Sequence, residues 1–248
     1  MTIETFFRIS PTSSFESVRI VLLLAAFTIT AIVFVFRHKK RKRDEKLFLI
    51  RERIARDLHN EVSSALANVS IMSELANDSL DASFASECIR KISYESIEMM
   101  QAMDDMVWII KPGNDSLGRL GGRMREYLVQ SLSESHVRCS FDIPEAVISV
   151  RINMEQRKNI LLIFRAAVDN IKAHASAKAV QVCIDCSGKM IYIDIMDDGV
   201  GMAAHMIDRG NGINTIHRLV DEMHGMLHIS SGSPSGTRIA LWIPQRKN

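Results

Sequence analysis

Between Arg51 and Ile110 apolar residues recur at steps of three and four with one interruption, and this confines the middle of the chain to two amphipathic helices. In the first helix the stripe is Leu58, Val62, Ala65, Val69, Met72 and Ala76; in the second it is Ile89, Ile92, Ser96, Met99, Met103, Met106 and Ile110. The interruption, NDSLDAS from Asn77 to Ser83, holds turn and capping residues, and Pro112-Gly113 ends the second helix. The pair is read as an antiparallel hairpin. A single hairpin leaves each stripe half covered, and pairing two copies into a four-helix bundle buries the rest. A homodimer is therefore expected. The methionines of the second stripe need no cofactor to explain them, because Met fills irregular cores.

His59 follows Leu58 and falls one residue off the stripe, which places it at the solvent edge of such a bundle. An exposed imidazole on a rigid helix can attack phosphorus. A neighbouring acid assists by holding the ring in its reactive tautomer or by taking its proton. Asn60 and Glu61 follow directly, and Glu61 is the candidate acid.

Upstream, IVLLLAAFTITAIVFVF from Ile20 to Phe36 contains seventeen residues and no charge. As a helix it reaches roughly 25 Å, the short end of what crosses a bilayer, with Arg19 able to snorkel at one rim. RHKKRKR, Arg37 to Arg43, follows it, and the positive-inside rule then puts the rest of the chain in the cytoplasm. A cleaved signal peptide would carry its charges before the apolar run and small residues after it, the reverse of this order. The expectation is a single-pass protein of the inner (cytoplasmic) membrane. Residues 1–18 form a short extracytoplasmic end, 19–36 the transmembrane helix, 37–46 a basic juxtamembrane linker, 47–112 the hairpin and 113–248 the remainder. With about eighteen residues outside, detection of a signal falls to the span itself, to a membrane sensor partner or to a missing neighbour. The net charge of +2, with its positive part concentrated in one run, offers no basic groove and argues against direct nucleic-acid binding.

In a reducing compartment Cys88, Cys139, Cys183 and Cys186 are expected to be free thiols. Cys183 and Cys186 form a C-x-x-C, but QVCIDCSG reads as a strand, on which positions three apart point to opposite faces and cannot share a metal.

The last third reads as one mixed α/β domain. Asn153 with Gln156 has capping-box spacing and opens the helix NMEQRKNILLIFRAAVDNIKAHA. Two strands follow, KAVQVCID and KMIYIDIM, each alternating in apolar character and joined by a turn at Ser187-Gly188. The second strand runs into DDGVGM, Asp197 to Met202. There a carboxylate can accept a hydrogen bond from an exocyclic amine, and glycines let the backbone approach a nucleotide. RGNGINTIHRL opens a further helix whose first amides can receive phosphate oxygens.

Taken together, these segments resemble the bacterial two-component sensor histidine kinases, in the subclass that pairs with helix-turn-helix response regulators and carries a GHKL-type ATP-binding domain. The likeness runs from Arg51 to Pro244. RIARDLHNEV resembles the phosphoacceptor segment, which makes His59 the phosphorylated residue. LIFRAAVDNIKAHA resembles the segment that holds magnesium and phosphates, which implies Asn170 as the Mg2+ ligand and His174 as a phosphate neighbour. DDGVGM resembles the adenine loop, with Asp197 at the adenine amine and Gly199 and Gly201 permitting close approach. GNGINTIHR resembles the hinge of the ATP lid through Gly210 and Gly212, and SGTRIALWIP the closing strand, with Gly236 and Thr237 near the base. The implied α+β fold joins the membrane helix to a dimeric four-helix bundle. That bundle carries Bergerat-type α/β sandwiches, each a mixed sheet with three helices. The implied function is autophosphorylation of His59 from ATP with Mg2+, then transfer to an aspartate of a cytoplasmic response regulator.

Some positions depart from the family pattern. Asn60 stands where an acid is usual and can orient an imidazole without taking its proton. Ala166 replaces a glutamate that organises metal and water; Ala173 replaces a lysine, with Lys172 beside it. Ser64 falls near a glutamine used in dephosphorylation, and Thr215 stands for a lid asparagine. Losing one positioned acid or base costs about 10² to 10⁴ in rate, so Asn60 and Ala166 point to reduced activity. The alternative is a degenerate kinase, a membrane-tethered dimer that binds ATP or a partner and signals by conformation. Other ATPases built on the same sandwich resemble only the C-terminal part and lack the hairpin and the anchor.

Overall fold

A computed structural model describes residues 11–201, 211–232 and 236–245. Among the sequence expectations, Gly210 and the side chains of Arg19, of the start of the apolar run, of Leu58 and of Glu61 lie outside what is described. The chain divides into two compact units, Met1–Ala55 and Arg56–Asn248.

Helix α1 (Pro11–Asp78) supplies the first unit and the first arm of the hairpin. In the first unit Leu24, Phe27, Ile29, Ile32, Phe34 and Phe36 are between 54% and 72% exposed, and the basic residues from Arg37 to Lys42 are exposed beyond them. Among the described residues no helix is long and apolar enough to cross a membrane.

In the second unit the hairpin turns between α1 and α2 (Ala82–Ile110). Asp81 caps α2: its Oδ1 accepts from the Ser83 amide at 2.8 Å and the Ser83 hydroxyl at 2.7 Å. Along α1, Val62, Ala65, Val69, Met72 and Ala76 are half-buried while every other residue from Val62 to Asp78 is exposed, which is the stripe the periodicity gives. Helix α2 differs. Ile89 and Met103, expected on its stripe, are 61% and 46% exposed, and Cys88 and Ile109 are buried instead. The physical reason is that α2 carries two neighbouring apolar rows. Cys88, Ile92, Met99, Met106 and Ile109 turn inward, while Ile89, Met100, Met103 and Val107 remain open.

The α/β part begins at Ser116, whose hydroxyl caps α3 (Leu117–Leu132). It continues through β1 (Arg138–Asp142), the single turn α4 (Glu145–Ile148), α5 (Met154–Asn170), β2 (Ala179–Ser187), β3 (Met190–Asp197), α6 (Asn211–Glu222), β4 (Met226–Gly232) and β5 (Gly236–Pro244). The capping box opens α5: the Asn153 side chain accepts from the Gln156 amide at 2.8 Å, and Gln156 reaches back to the Asn153 amide at 3.4 Å. The Gln156 side-chain amide also donates to the Pro244 carbonyl at 2.8 Å, tying the start of α5 to the end of β5. The five strands run in the order β1-β2-β3-β5-β4, with β1 parallel to β2 and every other pair antiparallel. Val180, Val182, Ile184, Ile191, Ile193, Ile195, Ile239 and Leu241 are buried on one sheet face. Gly121 of α3 packs on Phe141 and Ile184, and Phe164 of α5 meets Phe141 edge to face. Cys183 falls out of phase with Val182 and Ile184 while Cys186 keeps their phase; the two thiols face opposite ways and all four cysteines are free.

The end of the hairpin is fastened to the α/β part by charge. The Arg157 guanidinium donates to the Ile109 carbonyl and lies 5.8 Å from the Trp108 ring centroid. A cation at the last carbonyls of α2 satisfies orphan acceptors and suits the helix dipole.

Candidate active site

Helix α5 ends at Asn170 by widening into a π-helical turn, Ile171–Ala175, closed by Ser176 at φ 48°. Wide turns of this kind re-aim side chains and recur at functional sites. Here Ile171 and Ala175 turn inward while Lys172, Ala173 and His174 are exposed. Asn170 and His174 line one cavity with Asp197, Gly201 and Thr237, over an apolar wall that includes Ile195 and Ile239.

The loop after β3 is pinned to the π-turn. The Val200 amide donates to the Ala175 carbonyl at 2.8 Å, and a Cβ on Gly199 would lie 2.2 Å from that same oxygen. Any side chain at 199 would push the loop off its anchor. The two aspartates have different tasks. Asp197 is buried, and its Oδ1 accepts from the Gly199 amide at 2.9 Å; burial pushes its pKa up against the pull of the Gly199 and Thr237 amides. Asp198 turns away. Its Oδ1 accepts from the amides of Lys178 and Ala179 at 2.7 and 2.8 Å, and those donors, Ala179 first, hold its pKa below the ordinary value.

Thr237 sits opposite Asp197 in the β3–β5 register. Its hydroxyl is 3.0 Å from that of Ser231, which also lies 3.2 Å from the Gly236 carbonyl. Ser231 is a contributor that pattern reading passes over, since one serine in a strand has no signature. Gly212, in the first turn of α6, lies against Asn170: a Cβ there would be 3.2 Å from the amide nitrogen and 3.3 Å from the amide oxygen.

The cavity therefore collects Asn170, His174, Asp197, Gly201 and Thr237, with Gly199 and Gly212 packed on its frame. His59 and Asn60 are exposed on α1, and none of the described lining residues comes from that helix. One carboxylate stands on the described wall, Asp197; at Ala166 there is none. Among the described residues no three His, Cys, Asp or Glu side chains gather as a metal nest. An apolar wall that also carries a buried acceptor, an amide and an imidazole suits a purine with its phosphates.

The sequence reading also missed a buried charge cluster behind the site. Asp105 of α2 accepts from Arg123 Nη2 at 2.8 Å and faces Arg165 Nε at 2.8 Å. The available signal was an aspartate set beside Met106 on an otherwise apolar row.

Residues 155–247 match the family described as histidine kinase-, DNA gyrase B- and HSP90-like ATPases, and residues 51–115 match a histidine kinase family. The sensor histidine kinase LiaS of Bacillus subtilis is 24% identical over 199 residues, covering 78% of this chain and 54% of that protein. DesK of the same organism is 24% identical over 206 residues, covering 78% and 50%. The chain thus spans about half the length of these relatives. Among solved structures, the histidine kinase domain of the Erythrobacter litoralis EL346 blue-light activated histidine kinase matches with a TM-score of 0.50 at 15% identity, over 74% of this chain and 94% of that one. Acinetobacter baumannii AdeS matches with a TM-score of 0.51 at 12% identity, over 77% and 98%. These last likenesses are of fold.

Proposed function

The chain belongs to the bacterial two-component sensor histidine kinases with a GHKL-type ATP-binding domain, and from that premise we propose that it phosphorylates its own His59 from ATP and passes the group to an aspartate of a separate response regulator. The observation that carries this reading is the sharing of one cavity by Asn170, His174, Asp197 and Thr237, with an exposed His59 on a different element.

In the proposed reaction the neutral imidazole of His59 attacks the γ-phosphorus through Nε2, the bond from that phosphorus to the β-phosphate oxygen breaks, and ADP leaves. Asp197 accepts from the adenine amine through the carboxylate oxygen not taken by Gly199. Thr237 borders the base, held by Ser231. Asn170 offers its amide oxygen to Mg2+, and His174 stands by the phosphates. Mg2+ supplies neutralisation of phosphate charge, and positioning supplies the rest. The missing carboxylate at 166 leaves proton handling to the hairpin, where Glu61, two residues after His59, is the candidate acid. Because no α1 residue stands on the described wall, the ATP-bearing part must present its nucleotide to His59 of its own chain or of a partner.

Dimerisation is supported by the open row Met100, Met103 and Val107, at 57%, 46% and 69% exposure; such a row calls for a second hairpin. Anchoring in the inner membrane, with the C-terminal part cytoplasmic, is supported by the exposed apolar side chains from Leu24 to Phe36 and the cationic run after them. A second reading, a degenerate kinase that binds ATP without transferring phosphate, is favoured by Asn60 and by the absence of a carboxylate at Ala166. Titration of the full chain with ATP and Mg2+ tests the site: Asp197→Asn and Asn170→Ala should each weaken binding at least about tenfold, and unchanged affinity in both would refute the assignment.

A further inference from the structure

Asp105 belongs to the phosphoacceptor hairpin, yet it is the counter-ion of two cations from the ATP-binding part. It is only 5% exposed. Its Oδ1 accepts from Arg123 of α3, from Nε at 3.1 Å and Nη2 at 2.8 Å, and its Oδ2 lies 2.8 Å from Arg165 Nε of α5. A buried carboxylate between two guanidiniums cannot be withdrawn without costing Arg165 its partner at 2.8 Å and leaving Arg123 only Glu126, at 3.6 Å. The contacts continue towards the nucleotide site. The Arg165 guanidinium stacks on Tyr127 at 4.5 Å from the ring centroid, and the Tyr127 hydroxyl donates to Asp169 Oδ1 at 2.6 Å. Burial and the Asp169 carboxylate together push the Tyr127 hydroxyl well above its ordinary pKa, so it stays a donor. Asp169 immediately precedes Asn170 in the last turn of α5, where the π-turn begins.

We propose that Asp105 and Tyr127 are positioning residues for the metal site: the hairpin's carboxylate holds Arg165, Arg165 holds Tyr127, and Tyr127 holds Asp169, setting the rotation of the helical turn that presents Asn170. This rests on Asn170 being the Mg2+ ligand. Seating of the ATP-binding part on α2 and the setting of its metal site are then one linked equilibrium. Release of the seat loosens the grip on Mg2+, and Mg2+-ATP in turn strengthens the seat.

The test is a Mg2+ titration of ATP-analogue binding by the full chain in nanodiscs, beside the same binding in EDTA. The variants are Asp105→Asn, Tyr127→Phe, their double variant and Asn170→Ala. Each single positioning variant should raise the half-saturating Mg2+ concentration about threefold, with affinity in EDTA held within about twofold. The double variant should shift no further than the larger single one, as members of one chain do. If Asn170→Ala shifts the Mg2+ dependence but either positioning variant does not, the chain of contacts is overturned and the ligand assignment stands. If Asn170→Ala leaves it unchanged, the ligand assignment falls and the proposal with it. A parallel loss of affinity in EDTA, or full additivity in the double variant, would overturn the positioning role as well.

Discussion

Gly236 lies so close to the Asp197 carbonyl that a Cβ built on it would stand 1.9 Å from that oxygen, and its φ of +74° is one that side chains avoid. The first residue of β5 is therefore fitted to the strand that delivers the candidate adenine acceptor. Gly236→Ala should destabilise the protein by about 2 kcal/mol or more and weaken ATP binding, since the start of β5 must withdraw from Asp197. Gly122 is the control. It is exposed inside α3, with nothing within 4 Å of a Cβ, so Gly122→Ala should stabilise by about 0.5 to 1 kcal/mol. Thermal unfolding of both variants beside the parent checks the pair; equal effects would contradict the packing account.

Asp198 gives stability a defined pH dependence. Its carboxylate is held below the ordinary value of 3.8 by the amides of Ala179 and Lys178. A depressed carboxyl contributes stability that is complete above its unfolded value and is lost as pH falls through its lower folded value. Asp198→Ala should therefore lower the melting temperature at neutral pH, and the gap from the parent should stay constant down to about pH 5 and narrow below pH 4. A gap that widens in acid would reverse the assignment.

The open row on α2 makes the association state testable. Val107 is 69% and Met103 46% exposed in the single chain, and an apolar row of this kind is covered when two hairpins meet. Replacing both with Asp buries charge at the joint and should convert a dimer into a monomer, read by light scattering on the full chain, with helix content retained. Persistence of the dimer would place the interface elsewhere.

What could be read without coordinates followed from periodic or local rules. The hairpin break, the capping box at Asn153, the β2–β3 turn at Gly188 and the half-buried row from Val62 to Ala76 each depend on a few neighbours in sequence. Ile89 and Met103 stay open in the single chain because two apolar rows lie side by side on α2, and periodicity alone does not say which of them the chain itself covers. The cluster of Asp105, Arg123, Arg165, Tyr127 and Asp169 was illegible for a different reason: its members lie on three helices and meet only through tertiary packing. Gly199 and Gly236 were legible as glycines that allow close approach; which carbonyls they approach was not.

Catalytic vigour turns on two positions where a carboxylate is missing. With Asn60 beside His59 and Ala166 one turn before Asn170, restoring both acids through Asn60→Asp and Ala166→Glu should raise the autophosphorylation rate by about 10² or more. Initial rates at saturating ATP and Mg2+ measure it. No gain would mean that another group, Glu61 foremost, already handles the proton.

The central claim is that ATP bound at Asn170 and Asp197 delivers its γ-phosphoryl group to His59. Incubation of the full chain with γ-labelled ATP and Mg2+, followed by acid and base treatment, tests it most directly. The account predicts acid-labile, base-stable label on the chain that is absent from His59→Ala, while that variant still binds ATP. Label that persists in His59→Ala, or a parent that binds ATP and never becomes labelled, would contradict it.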